Sequence, residues 1–243
     1  MRVISSKIYS PNFNKKKRDH RLIKFIIIHY TGMKKESDAI KKLTSYKSNV
    51  SCHFFIKTNG QLIQMVPESY IAWHAGKSKW GNFKSLNKNS IGIEIHNPGH
   101  EFNYKSFNNK QIATLINLLK KLKKKYRIKI ENILGHSDIA PQRKKDPGEK
   151  FPWEILAKKK LCFWPKMDLK KITRFREIKI NKKMQESFFR NIKKIGYSKI
   201  FYASNVKSIY FLIIAFQRRF RQQLVNGKID LECYLISKNL ANC

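Results

Sequence analysis

An α/β layer domain followed by a small α-helical bundle is the fold class that this 243-residue sequence predicts. Three observations predict it. Up to about residue 160, short apolar or alternating runs exchange with segments of helical spacing, the signature of packed strands and helices. From residue 181 onward only helical patterns remain. The hydrophobic fraction of 42% supports a real core despite 28% charged residues.

The elements follow in order. "LIKFIIIHY" (22–30) is an apolar, Ile-rich run that reads as a buried strand with His29 near its end. "ESDAIKKLTSY" (36–46) spaces Ile40 and Leu43 helically. "SCHFFIKTNGQLIQMVPE" (51–68) reads as a hairpin turning at Asn59-Gly60, because Asn-Gly suits the positive φ angles of tight turns. "SIGIEIHNPG" (90–99) alternates Ile91, Ile93 and Ile95 against Gly92, Glu94 and His96, predicting a strand with Glu94 and His96 on one face. "NNKQIATLINLLKKLKKKY" (108–126) carries Ile112, Leu115, Ile116, Leu119 and Leu122 on one helical stripe. Its lysines suit the solvated face and the C-terminal end of the helix dipole. "IENILGH" (130–136) reads as a strand ending at His136. Residues 1–160 thus form the first domain and 161–180 a basic, irregular linker. Residues 181–243 hold three helices: the first ends at Gly196, the second spans 205–221 and the third closes the chain from Asp230.

The formal charge is +36, from 52 Lys+Arg against 16 Asp+Glu. Such a charge favours polyanionic partners: nucleic acid, anionic membrane surfaces or carboxylate-bearing wall polymers. Lysine-, asparagine- and isoleucine-rich usage is an equal explanation. A specific nucleic-acid binder ranks last, because the basic residues are dispersed and no nucleic-acid motif is present. Cys52, Cys162, Cys233 and Cys243 form no CxxC pair, and read as buried or incidental thiols, with a disulfide left open. The first 21 residues lack an apolar stretch of signal-peptide type, so a cytoplasmic protein is expected, with a periplasmic or wall-associated place as the alternative. Apolar runs such as "IYFLIIAF" (209–216) are too short for a transmembrane segment. The oligomeric state is left open.

The chemistry concentrates at strand ends. His29 and His136 close two strands, and Asp146 follows on a loop stiffened by Pro141, Pro147, Gly148 and Pro152. Two imidazoles and one carboxylate are a catalytic zinc set: three protein ligands leave the fourth tetrahedral position to water. The bland alternative is a His and an Asp on unrelated surface positions.

"FIIIHYTGM", "SCHFFIKTNGQLIQMVPESYIAWHAG", "SIGIEIHNPG" and "GHSDIAPQRKKDPGEKFPW" together resemble four successive blocks of the zinc-dependent N-acetylmuramoyl-L-alanine amidases of the amidase-2 family, relatives of the peptidoglycan recognition proteins. The likeness covers residues 22–157. It implies a mixed central sheet flanked by helices, with Zn2+ on one face. It also implies hydrolysis of the amide between N-acetylmuramic acid, or its anhydro form, and L-alanine in peptidoglycan or muropeptides. The resemblance puts His29, His136 and Asp146 at the metal-ligand positions, Glu94 at the acid/base and Lys144 at the oxyanion-stabilising position. A glutamate beside the metal suits proton transfer and a cation suits a developing oxyanion. "AWHAG" (72–76) resembles the substrate groove, which makes Trp73 and His74 substrate-binding candidates, and Asn97 a candidate for the stem peptide; the plain alternatives are a core Trp, a satisfied His and a strand-ending turn. Asp at the third ligand position marks the subgroup without a ligand Cys. A non-catalytic recognition protein on the same scaffold is the alternative, and retention of all three ligands favours the enzyme.

"KKIGY", "IIAFQRRFR" and "NGKIDLE" resemble the three-helix peptidoglycan-binding module. Cys233 stands where that module usually has Thr. A helical appendage without a ligand is the alternative, because a stripe such as Phe211, Leu212, Ala215 and Phe216 forms core first.

Overall fold

The computed structural model describes residues 6–198 and 206–243. Six strands form a mixed sheet: β1 (Ser6–Lys7), β2 (Phe25–Tyr30), β3 (Phe54–Ile56), β4 (Leu62–Gln64), β5 (Ser90–Ile95) and β6 (Ile133–Gly135). Their order is β1-β4-β3-β5-β2-β6. Only the β3–β4 hairpin is antiparallel; the other pairs run parallel. The hairpin turns at Asn59-Gly60 as expected, with Gly60 at φ 85°. The central parallel strand β2 is buried on both faces, which is why it reads as a nearly continuous Ile run.

The two faces carry different layers. Ile26 and Ile28 of β2 and Ile91, Ile93 and Ile95 of β5 pack with Leu115, Leu118, Leu119 and Leu122 of α2 (Asn109–Tyr126). That helix is held at its start by a capping box between Asn108 and Gln111. Phe25 and Ile27 point the other way. They join Leu134 and Ile139 in a core with Phe188 and Ile192 of α6 (Lys182–Ile195), Phe216 and Phe220 of α7 (Val206–Phe220) and Ile236 and Leu240 of α8 (Leu231–Ala241). A third cluster lies under α1 (Glu36–Thr44), around Ala39, Leu43 and Met65. Among the described residues no helix is long and apolar enough to cross a membrane.

Four local expectations change. The strand leading to His136 stops at Gly135, and His136 opens the single turn α3 (His136–Ile139). The cause is Asp138, whose carboxylate accepts the Gly135 N–H at 2.8 Å and bends the chain into a turn. β5 ends at Ile95, so His96 leaves the strand and its Nδ1 meets Thr31 Oγ1 at 3.2 Å. Segment 161–180 is packed rather than a free linker. It follows α4 (Trp153–Lys158), contains α5 (Leu169–Ile172), capped by Asp168, and buries Leu161, Cys162 and Ile172, because apolar residues are interleaved with its lysines. Asn205, the first residue of the expected second C-terminal helix, lies outside the described residues. The four cysteines are free, and three are buried.

Candidate metal centre

The parallel register of β2 and β5 sets His29 opposite Glu94, both at the C-terminal ends of their strands. β6 runs beside β2 and delivers His136 immediately after its own C-terminal end. The Pro/Gly loop returns Asp146 to the same place. There the Ser137 N–H donates to the Asp146 carbonyl at 2.8 Å, and Pro147 packs against Gly135, where a Cβ would lie 2.6 Å from Pro147 Cδ. Three side-chain atoms converge: His29 Nδ1 and His136 Nδ1 at 2.9 Å, and Asp146 Oδ2 at 3.0 and 3.1 Å from them. All three residues are buried. This is the group among the described residues able to hold a metal.

The hydrogen bonds behind the cluster fix where the lone pairs point. The Ser90 hydroxyl donates to the Leu86 carbonyl at 2.6 Å, so it accepts from His74 Nε2–H at 3.2 Å. Burial, then the neighbouring imidazoles, push the His74 pKa well down, so the ring is neutral and its Nδ1 accepts. His29 Nε2–H therefore donates to His74 Nδ1 at 3.0 Å. His29 is also neutral, lowered to about 4 by burial and then by His136, which leaves its Nδ1 lone pair facing the cluster. His136 Nε2 lies 3.2 Å from the Ala75 carbonyl, which only accepts, so Nε2–H donates there and Nδ1 is the nitrogen that faces the cluster. Ring nitrogens and a carboxylate oxygen turned toward one point are stabilised when a cation sits between them. The donor set thus fits a metal ion, held through ring nitrogens whose opposite N–H groups are anchored.

A cavity of about 320 Å³ opens on the cluster, lined by His29, Trp73, Glu94, His136, Lys144 and Asp146 among others. The Glu94 Oε2 atom is sealed from solvent and has no hydrogen-bond partner. Burial, then the Asp146 charge, raises its pKa to about 8. Lys144 lines the same cavity, and its charge acts on both His29 and Glu94. Trp73 forms part of the wall while its indole N–H donates to Asn14 at 2.6 Å.

Two of the sequence candidates are engaged by the protein itself. His74 lines the cavity with both ring nitrogens taken, by His29 and Ser90, as in the plain alternative of a satisfied His. Asn97 does not line the cavity. Its amide donates to the Lys105 carbonyl and accepts from the Gly99 N–H, fastening the turn after β5. Sequence reasoning missed the support given by His74, although Gly92 carried a signal for it. Gly92 faces the site two residues before Glu94, and a Cβ there would lie 2.4 Å from His74 Cγ. Arg143 was missed as well. Its guanidinium donates to the Ala75 and Lys77 carbonyls, each at 2.9 Å, and so steadies the carbonyl that anchors His136.

Known proteins show the same arrangement of chain. The family model described as N-acetylmuramoyl-L-alanine amidase matches residues 18–149. The N-acetylmuramoyl-L-alanine amidase AmiD of Escherichia coli K12 is 35% identical over 232 residues, covering 90% of this chain and 82% of that protein. The 1,6-anhydro-N-acetylmuramyl-L-alanine amidase AmpD of Haemophilus influenzae is 33% identical over 165 residues, covering 60% of this chain and 87% of its own. In structure, a complex of E. coli AmiD with anhydro-N-acetylmuramic acid-L-Ala-D-γ-Glu-L-Lys superposes with a TM-score of 0.79 at 33% identity, over 94% of this chain and 91% of that one. AmpDh3 of Pseudomonas aeruginosa gives a TM-score of 0.78 at 28% identity, over 97% of both chains. With the sheet, the buried ligand cluster and these matches in agreement, the chain belongs to the N-acetylmuramoyl-L-alanine amidase family.

Proposed function

We propose that this protein is a zinc-dependent amidase that hydrolyses the bond between N-acetylmuramic acid, or its 1,6-anhydro form, and L-alanine in muropeptides. The observation that carries the reading is the triangle of His29 Nδ1, His136 Nδ1 and Asp146 Oδ2 beside the unpartnered Glu94 carboxyl. Two imidazoles and a carboxylate with an open fourth position are a donor set that zinc takes in hydrolases. When bound, the ion supplies Lewis acidity to the scissile carbonyl and lowers the pKa of a water beside it.

The chain's own groups supply the rest. Glu94 receives the proton of the attacking water and returns it to the leaving amine of L-alanine. Burial favours its protonated form, whereas a nearby divalent cation favours the ionised one. The two influences together suit a group that must both accept and give a proton. Lys144 places a cation on the cavity wall, where the carbonyl oxygen gains charge. Trp73, fixed by Asn14, offers an apolar wall to the sugar or stem peptide. A muropeptide substrate is further supported by the AmiD complex, whose bound molecule is an anhydro-muramyl peptide.

The test is metal content and turnover together. Purified protein should carry about one zinc per chain. It should release a stem peptide with a free L-alanine amine from anhydro-muramyl peptide, and chelation should stop the reaction. Zinc-free protein that turns over at the same rate, or zinc-loaded protein that never cleaves a muramyl peptide, would sink the reading. Parallel assays on intact sacculi separate polymeric from soluble substrate.

A further inference from the structure

The C-terminal helices reach the metal site through one buried ion pair. Arg219 of α7 donates through Nη1 to Asp138 Oδ2 at 2.6 Å, and both side chains are at most 3% exposed. Asp138 lies two residues beyond the ligand His136 and caps the turn that presents it, through the Gly135 N–H. Its other oxygen, Oδ1, accepts the Tyr197 hydroxyl at 2.6 Å, and Tyr197 also belongs to the C-terminal unit. Arg219 continues past Asp138: Nη2 donates to the Ile133 carbonyl at 3.1 Å. One guanidinium thus grips the strand before the junction and the turn after it. The guanidinium also lies 4.4 Å over the Trp153 ring, and Trp153 in turn closes over Gly135.

We infer that Arg219 and Tyr197 are positioning residues for the metal ligand His136, so that the C-terminal helices form part of the frame of the metal centre rather than a separately tethered module. This rests on the zinc reading above. The physical argument is the rigidity of the strand-to-turn junction. The direction of His136 Nδ1 is set by the α3 backbone, and that backbone is held by Asp138. A buried carboxylate keeps its geometry only while its partners are present; without Arg219 it must move or draw in water. Any of these loosens the Gly135–His136 junction, and a small error in ligand placement weakens a metal site.

The test measures zinc affinity of the full chain by competition with a chromophoric chelator, on samples shown to be folded by circular dichroism. The variants are Arg219→Gln, Tyr197→Phe, Asp138→Asn and the pair Asp138→Asn with Arg219→Gln. Arg190→Gln, on the exposed side of α6, serves as control. Arg219→Gln should weaken zinc binding by about 10- to 100-fold, the usual cost of losing an outer partner of a metal ligand. Tyr197→Phe, which removes one hydrogen bond at constant shape, should weaken it by a smaller factor of roughly threefold or more. The paired variant, which removes both charges, should recover most of the loss, and Arg190→Gln should bind as wild type. A purely structural role predicts lowered melting temperatures with wild-type zinc affinity in the folded fraction, and that outcome overturns the inference. Should Arg219→Gln not fold, Tyr197→Phe with unchanged zinc affinity overturns it equally. Wild-type protein that binds no zinc marks failure of the functional reading itself, and the inference falls with it.

Discussion

His29 Nε2 donates to His74 Nδ1 at 3.0 Å, and this bond decides which nitrogen of His29 is free for a metal. His74 reaches that position because Gly92 leaves room for its ring on the sheet, and because Ser90 holds its far side. Replacing His74 by Phe keeps a flat ring over Gly92 but removes the acceptor. The His29 ring then loses its orientation, and zinc affinity should fall by about 10- to 100-fold with the fold intact. Isothermal titration of zinc-stripped protein measures this; wild-type affinity in His74→Phe would show that the relay does not orient the ligand.

Glu94→Gln preserves shape and removes the titrating group. Zinc content and melting temperature should stay near wild type, while kcat for a muramyl peptide should drop by roughly 10²–10⁴. If this variant turns over normally, Glu94 is only a wall of the cavity.

His53 supplies a pH prediction for stability. Its Nδ1 accepts the Gly92 N–H at 3.0 Å and its Nε2 lies 3.1 Å from the Tyr70 carbonyl, so the ring is neutral and fully buried. Burial, then the charge of Arg18, lowers its pKa from 6.5 to about 3. Between those values the unfolded chain binds the proton and the folded chain does not. Stability is therefore complete above pH 6.5 and lost as the pH falls toward 3, with a slope of up to about 1.4 kcal/mol per pH unit from this group. Denaturant titrations of wild type and His53→Gln from pH 7 to pH 4 should differ in slope by this amount. Parallel curves would assign the acid sensitivity elsewhere.

Removal of the C-terminal helices should destabilise the rest. A chain ending near residue 165 exposes Phe25, Ile27 and Leu134 of the sheet and Ile139 of α3, now covered by α6, α7 and α8. Each such side chain gains about 1.5–3 kcal/mol from full burial, and Asp138 also loses Arg219. The truncated protein should melt well below wild type and bind a hydrophobic dye. A truncation with an unchanged melting temperature would show that the helices are dispensable for the fold.

Much of the site was legible because its chemistry is local. His29 at the end of an Ile-rich run and Asp146 on a Pro/Gly loop stand out by residue type and neighbours, whereas Glu94 in its alternating strand was singled out by the family resemblance. The hairpin turn and the α2 stripe were readable for the same reason. The reading of 161–180 as a linker differed because Lys166, Lys170 and Lys171 beside Phe163, Trp164, Met167 and Leu169 mask an apolar side that only packing reveals. His74 and Asn97 were read as substrate-binding candidates, but what each does depends on which atoms reach it. Those partners lie on other strands and loops.

By itself, then, the sequence determined the element types, because hydrophobic period and turn chemistry act over a few residues, and four motif blocks in order carried the resemblance to the family that implied the ligand set. Only the tertiary structure decided that the C-terminal helices share the His29 face of the sheet and that Arg219 closes on Asp138 across 81 positions. It also decided that a chain of hydrogen bonds through His74 bares the Nδ1 of His29. These are contacts between distant segments. Their existence depends on sheet order, strand register and the room left by Gly92 and Gly135, which no local pattern encodes.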